Sequence, residues 1–183
     1  MDTKRIIRHI LGYAVGGFVF MLLIPYVLYL LAPFLDELSG IPPLEDVILR
    51  IAIAFPVLVI GLVFGIWSNL SLFFTGKGGP TDGFGVALSP RTAHLVVSGP
   101  YRYTRNPMVF GAFMCYAALA LFLGSTALLV AIVLALPFIA VYLRIFEERR
   151  LYRDFGDEFI AFRNSVPMIF PVRFTCIIKT KRT

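Results

Sequence analysis

Three long stretches of this chain carry no charged side chain, and they restrict the possible fold more than any other feature. They cover residues 10–35, 51–76 and 106–143. An uncharged apolar run of about 18 or more residues is typical of a helix that crosses a lipid bilayer. Because 58% of all residues are hydrophobic, we predict an integral membrane protein.

The third stretch is too long for one crossing. A single helix over 106–143 would measure about 57 Å, whereas the hydrocarbon core of a bilayer is about 30 Å thick. The pair Gly124-Ser125 lies near the middle of the stretch, and we place a tight turn there. The sequence therefore predicts a helical hairpin, and an all-α fold with four membrane-spanning helices.

The polar segments divide this single predicted domain (1–183) into four parts. These are two N-terminal spanning helices (1–75), a loop (76–105), the hairpin (106–144) and a C-terminal segment (145–183). The loop is rich in glycine, but it lacks the strand and helix context of a dinucleotide-binding motif, so no Rossmann domain is predicted.

The C-terminal segment has the pattern of an amphipathic helix. Apolar side chains recur there at helical spacing between charged residues, at Leu151, Phe155, Phe159 and Phe162. That pattern predicts a helix that lies on the membrane surface or folds back on the loop.

Basic residues predict the orientation, because loops rich in Lys and Arg face the cytoplasm. The segment 36–46 has only acidic charges, whereas 77–105 has four basic residues and one acidic residue. From residue 144 onward there are nine basic and five acidic residues. Both termini and the loop are therefore predicted to be cytoplasmic. This topology explains the net charge of +6 without a nucleic-acid partner.

The remaining partner predictions concern a second copy of the chain and a metal ion. Gly12 and Gly16 are four residues apart, as are Gly61 and Gly65. This spacing allows helices to approach closely, either within one chain or in a homodimer. The chain has two histidines and two cysteines, with no spacing that suggests zinc, so no metal is expected.

Two polar clusters, one before the hairpin and one after it, are candidates for a site. Asn106 and Pro107 suit the N-cap and first position of a helix, and the free N–H groups of that helix end also suit an anion. Arg105 and Glu147 are predicted to lie side by side. Either they form an ion pair, or each binds one end of a zwitterionic ligand.

Taken in order, these motifs resemble the isoprenylcysteine carboxyl methyltransferase and phospholipid methyltransferase superfamily of membrane enzymes. The resemblance covers about the last half of the chain. The matching residues are Leu95, Val96, Gly99, Pro100, Tyr101, Arg105, Asn106, Pro107, Met108, Gly111, Glu147, Glu148, Leu151, Phe155, Gly156, Glu158, Phe159, Val166 and Pro167.

The resemblance implies S-adenosyl-L-methionine as cofactor and a lipid-like acceptor, of the prenylcysteine carboxylate or phospholipid amine type. It makes 76–105 a cofactor loop. The implied cofactor-binding residues are His94, Leu95, Val96, Gly99, Tyr101, Asn106, Pro107, Met108, Val109 and Glu147. The residues expected to act on the acceptor are Arg105, Arg144 and Glu148.

Two positions depart from the family pattern, which commonly has His at Asn106 and Tyr at Val109. The departures count against an isoprenylcysteine acceptor and leave the cofactor unaffected. Two other functions stay open at this point. A sterol-type reductase would use NADPH and need more spanning helices, and a non-enzymatic membrane scaffold would bind no cofactor.

Overall fold

The structure, a computed structural model, describes residues 3–77, 82–83, 86–87 and 92–171, and the side chains of residues 10–77 and 92–171. The basic side chains before residue 10, most of the glycine-rich loop and the tail with Cys176 lie outside the described residues.

Six α-helices make up most of the described chain. They are α1 (Thr3–Phe18), α2 (Ile24–Ser39), α3 (Val47–Phe74), α4 (Pro107–Leu123), α5 (Thr126–Tyr142) and α6 (Arg149–Ser165). Shorter elements join them, namely π-helical segments at Val19–Leu23 and Leu143–Glu148, a 3₁₀ turn at Gly99–Arg102, and an antiparallel pair of two-residue strands, β1 (Asp82–Gly83) and β2 (Val86–Ala87).

Three helical segments are long and apolar enough to cross a membrane, namely Ile10–Ser39, Val47–Phe74 and Thr126–Ser165. The fourth apolar helix, α4, has 17 residues, which corresponds to about 26 Å. The predicted all-α membrane fold is confirmed. The first crossing combines α1 and α2. Pro25 has no backbone N–H to donate, and the π-helical segment before it keeps the helix continuous.

The hairpin turn forms where the sequence predicted it. Gly124 ends α4 with a φ of 74°, a left-handed conformation that glycine adopts without strain. Ser125 then starts α5, since its hydroxyl accepts a hydrogen bond from the N–H of Leu128 at 3.1 Å. Both signals are local, which is why the sequence alone was sufficient to locate the turn.

Polar contacts join the connection between α2 and α3 to this turn. The hydroxyl of Ser125 donates to Asp36 at 2.8 Å, and the N–H of Leu44 donates to the carbonyl of Gly124 at 2.9 Å. The end of α2 and the start of α3 therefore lie beside the hairpin turn. Consequently α3 ends, and α4 begins, at the opposite end of the bundle, which we call the polar end.

The most extensive helix contact joins α3 to α4. A Cβ atom added to Gly111 would lie 2.8 Å from the carbonyl oxygen of Gly61 and 2.8 Å from the backbone nitrogen of Gly65. Gly61 and the backbone of Gly65 thus take part in packing within the chain, one of the two predicted alternatives, and only Gly61 has no room for a side chain. A homodimer stays a prediction.

The helix after the hairpin differs from the prediction in its continuity. The hairpin helix was expected to end at residue 143, whereas the helical segment Thr126–Ser165 continues through the Leu143–Glu148 π-helical segment and is kinked at Gly156, whose φ of 53° and ψ of −126° are not helical. The predicted amphipathic helix is present as α6. Its buried Phe159 and Phe162 pack against Val96 and Tyr101, so it folds back on the loop.

Candidate functional site

The loop before α4 enters the polar end through a tight turn at Gly99–Arg102. Gly99 has a φ of 62°, and a Cβ there would lie 2.9 Å from the hydroxyl oxygen of Ser71 and 3.2 Å from the indole nitrogen of Trp67. Glycine adopts this left-handed conformation without strain, and a larger residue would also have to displace these two side chains. The turn places Tyr101 in the interior, with 9% of its surface exposed.

The phenol of Tyr101 lies within electrostatic range of Glu147. Burial is the main reason that the pKa of Tyr101 is raised well above its ordinary value, and the Glu147 carboxylate and the Tyr13 phenol raise the pKa further. Tyr101 therefore stays protonated at neutral pH and can donate a hydrogen bond. The same ring packs with Phe159 and Phe162, so side chains from the loop and from the segment after the hairpin meet at the polar end.

The start of α4 is held by long-range contacts and not by the predicted cap. The side chain of Asn106 makes no cap hydrogen bond, and its Nδ2 donates instead to the carbonyl of Met168 at 2.9 Å. The backbone N–H of Arg105 donates to the carbonyl of Pro167 at 2.9 Å. Asn106 and Pro107 hold the predicted N-cap and first positions of α4, but the Asn106 side chain forms a long-range contact instead of a cap hydrogen bond.

The first turn of α4 consequently keeps open donors. Pro107 has no N–H, and the N–H of Phe110 donates to the carbonyl of Asn106 at 3.0 Å. The N–H groups of Met108 and Val109 have no hydrogen-bond partner among residues 3–77 and 92–171. These two donors at a helix N-terminus suit a negatively charged group.

Arg105 was expected to lie beside Glu147, but it forms its ion pair with Glu148. The Nη1 of Arg105 lies 2.5 Å from the Oε1 of Glu148, and the two side chains are 13% and 10% exposed. The Nε of Arg163 approaches the other carboxylate oxygen of Glu148 at 3.4 Å. The π-helical segment explains the difference, because an extra residue in one turn changes which of two neighbouring side chains faces the loop.

Burial also determines the electrostatics of Arg105. Burial lowers the pKa of its guanidinium, and the nearby Glu148 carboxylate acts in the opposite direction. The Nε of Arg105 is buried without a hydrogen-bond partner among the described residues. One donor of this side chain is therefore still available inside the polar end.

The remaining predicted residues differ in how far they enter the site. Val96 and Pro107 are buried, Leu95, Met108 and Val109 are half-buried, and His94 and Arg144 are exposed. Leu95 packs against the cluster that contains Tyr101. Arg144 is within electrostatic range of Arg105. His94 makes no hydrogen bond or ion pair within the described part of the chain.

Three residues that position the site were not predicted. Thr104 is fully buried and donates to the carbonyl of Met168 at 3.1 Å, Arg163 contacts Glu148, and Trp67 packs on the turn. The partner of Thr104 is a backbone carbonyl, and no sequence pattern predicts a partner of that kind. The charged side of the amphipathic pattern around Phe159 was the available signal for Arg163.

Comparison with known proteins agrees with this geometry. A family model described as phospholipid methyltransferase matches residues 49–158, which include most of α3, the loop, the hairpin and Glu147. Neither the curated proteins nor the solved structures contain a significant match. More than half of the chain fits the family model, and its two polar clusters meet at one end of a membrane helix bundle, so this protein belongs to the phospholipid methyltransferase family.

Proposed function

We propose that this protein transfers a methyl group from S-adenosyl-L-methionine to a lipid-like acceptor at the polar end of the bundle. The observation that carries the proposal is the Arg105–Glu148 ion pair, which brings the open start of α4 to the segment after the hairpin, where Glu147 lies within electrostatic range of Tyr101. The family match supports a methyltransferase over the reductase and scaffold alternatives.

The groups at the polar end fit the polar parts of this cofactor. Its carboxylate matches the N–H groups of Met108 and Val109, and its ammonium group matches the carboxylate of Glu147. Tyr101, which remains protonated, can donate a hydrogen bond to an oxygen of the same ligand. When bound, the cofactor supplies an electrophilic methyl group on a sulfonium.

Arg105 and Glu148 act in this proposal by positioning. Their ion pair, together with Arg163, ties the loop to the segment after the hairpin. Transfer of a methyl group is an in-line displacement, so a fixed geometry supplies much of the rate enhancement. Arg144, which is exposed, remains available to attract an anionic carboxylate or phosphate of the acceptor.

An apolar groove on α3 supports access of the acceptor from the bilayer. The groove measures about 380 Å³. Its walls are Val59, Leu62, Val63, Ile66, Trp67 and Leu70. Trp67 lies against the Gly99 turn, and its ring centroid is 6.3 Å from that of Tyr103. A lipid chain along this face would bring its headgroup toward the polar end, which we propose faces the cytoplasm.

The residues available for proton transfer restrict the acceptor. A carboxylate acceptor needs no base, whereas a protonated amine must first lose a proton. Tyr101 is a weak acid in this site and stays protonated, so it does not serve as a base near neutral pH. Both acceptor types therefore remain in the proposal, and the amine type requires that the deprotonated form of the amine enters the site.

Cofactor binding tests the proposal. We expect Glu147→Ala to weaken binding of S-adenosylhomocysteine, the demethylated product, by roughly 10- to 150-fold in calorimetry in detergent, because a charge-assisted hydrogen bond contributes about 1.5–3 kcal/mol. Glu37→Ala is the matched control, since Glu37 is an exposed carboxylate near Asp36 and the hairpin turn.

Each outcome of this titration has a clear meaning. A parent protein that binds neither S-adenosyl-L-methionine nor its product contradicts the proposed function. A Glu147→Ala variant that binds as tightly as the parent removes the role of Glu147. An equal loss in the Glu37→Ala variant would mean that the effect comes from a general change in charge.

A further inference from the structure

Arg102, in the turn that enters the polar end, has a side chain that no described residue pairs with. The side chain is exposed and forms no hydrogen bond or ion pair with residues 3–77 or 92–171. Other arginines of the polar end do pair with a carboxylate, namely Arg105, Arg150 and Arg163. The guanidinium of Arg102 is therefore available to an anion from outside the protein.

The 3₁₀ turn determines which side of the loop Arg102 occupies. In a 3₁₀ helix the residues at i and i+3 lie one above the other, so Arg102 lies above Gly99 in the Gly99–Arg102 turn. The two residues between them are buried. Next to Gly99 lies α3, since a Cβ on Gly99 would be 3.2 Å from the indole nitrogen of Trp67 and 2.9 Å from the hydroxyl oxygen of Ser71. Arg102 is consequently on the side of the loop that faces Trp67.

Trp67 connects this side of the loop to the apolar groove on α3. Trp67 and Leu70 are the groove residues closest to the polar end of that helix. The ring of Tyr103, next to Arg102 in the chain, has its centroid 6.3 Å from that of Trp67. Trp67 is 40% exposed and Tyr103 is 51% exposed. Exposed tryptophan and tyrosine favour the level of the lipid headgroups, so Arg102 lies at the depth of the lipid phosphates.

We propose that Arg102, Trp67 and Tyr103 form a headgroup site, in which Arg102 pairs with the phosphate of a membrane phospholipid whose acyl chain occupies the α3 groove. The site matches both parts of such a lipid, because the groove is apolar and the guanidinium has the charge opposite to that of a phosphate. The inference rests on the proposed function, in which this lipid is the methyl acceptor. Arg102 is then a residue that determines specificity.

An anchor of this kind suits an acceptor whose reacting group is not the anchored group. In a prenylcysteine the carboxylate is itself the reacting group, so an arginine that pairs with it would lower its nucleophilicity. In a phospholipid amine the phosphate can pair with Arg102 while the amine remains free to react at the start of α4. That helix end is close, because the ring of Phe64 lies 6.5 Å from that of Trp67 and 4.8 Å from that of Phe110, in the first turn of α4.

The fluorescence of Trp67 tests the headgroup site directly, because the chain has one tryptophan. A dibrominated phosphatidylcholine in detergent quenches a tryptophan that it contacts, and a lipid that displaces it restores the fluorescence. We expect phosphatidylethanolamine to displace the brominated lipid at least about fivefold more effectively than diacylglycerol, which has the same chains and no phosphate. Equal displacement by the two lipids overturns the inference, and so does stronger displacement by farnesylcysteine.

Variants at Arg102 test which group provides this preference. Arg102→Gln should lower the preference for phosphatidylethanolamine over diacylglycerol about fivefold, the effect of one arginine next to a phosphate. Arg102→Lys keeps the charge and should retain most of the preference. The matched control is Arg153→Gln, which removes an exposed arginine of α6 and should leave the preference unchanged. An Arg102→Gln variant that matches the parent overturns the inference, and so does an equal loss in Arg153→Gln.

Methyl transfer separates this inference from the proposed function. If the lipid in the headgroup site is the acceptor, Arg102→Gln raises the KM for phosphatidylethanolamine about fivefold and leaves the affinity for S-adenosylhomocysteine unchanged. A parent protein that neither binds S-adenosylhomocysteine nor methylates a lipid contradicts the proposed function, whereas the quenching of Trp67 still decides whether the headgroup site exists. A parent that methylates phosphatidylethanolamine with a KM that Arg102→Gln does not change contradicts only this inference.

Discussion

Substitution of Gly111 by alanine tests the close contact between α3 and α4. The added Cβ would lie 2.8 Å from the carbonyl oxygen of Gly61, 2.8 Å from the backbone nitrogen of Gly65 and 3.1 Å from its Cα. All three atoms belong to the backbone of α3 and cannot rotate away. The two helices must therefore separate for the methyl group to fit.

The magnitude follows from two opposing effects. Overpacking of this kind costs about 1–3 kcal/mol, and rigid backbone neighbours place it in the upper half of that range. Alanine in place of glycine within a helix returns up to about 1 kcal/mol. We expect a net loss of roughly 1–2 kcal/mol in the free energy of unfolding, or about 2–8 °C in melting temperature for a chain of this size.

Thermal unfolding in detergent measures this loss, and Gly65→Ala is the matched control. Gly65 lies in α3, and a Cβ there would meet no atom within 4 Å. The control should therefore melt at or above the temperature of the parent. A Gly111→Ala variant that melts as high as Gly65→Ala would refute the reasoning, because α3 and α4 would then not be in close contact at this position.

Two further predictions concern the polar end. Glu148→Gln should lower the free energy of unfolding by about 2–3 kcal/mol in chemical denaturation, because it leaves the mostly buried Arg105 without its charged partner. Arg163→Gln should lower it by less than about 1 kcal/mol, since Arg163 is 54% exposed. Equal losses in the two variants would contradict the difference in burial. Tyr101 has a raised pKa when folded, so its contribution is fully present below about pH 10 and falls above it by up to about 1.4 kcal/mol per pH unit, because only the unfolded chain then releases the proton. Tyr101→Phe should reduce this alkaline slope in melting curves between pH 9 and about pH 11, and an unchanged slope would contradict the burial of the phenol.

Local signals were sufficient to predict the helices and their turn. Long uncharged runs marked the crossings, and Gly124 with Ser125 marked the hairpin, because a left-handed residue and an N-cap act within a few residues of themselves. The amphipathic pattern around Phe159 likewise predicted α6. Each of these features depends on neighbours in the sequence, which the sequence displays directly.

The partners inside the site could not be predicted in the same way. Arg105 pairs with Glu148 instead of Glu147 because of a π-helical segment, and no residue between 143 and 148 predicts that segment. The side chain of Asn106 was expected to cap a helix, whereas its Nδ2 donates a hydrogen bond to a carbonyl 62 positions away.

The pairing of the α4 entrance with Pro167 and Met168 has a consequence for biosynthesis. These two carbonyls fix the backbone at Arg105 and Asn106, yet the ribosome adds them about sixty residues later. A nascent chain that has already inserted every membrane helix still lacks this support. The start of α4 therefore reaches its final structure only after α6 has been translated and the segment that follows α6 has folded back to it.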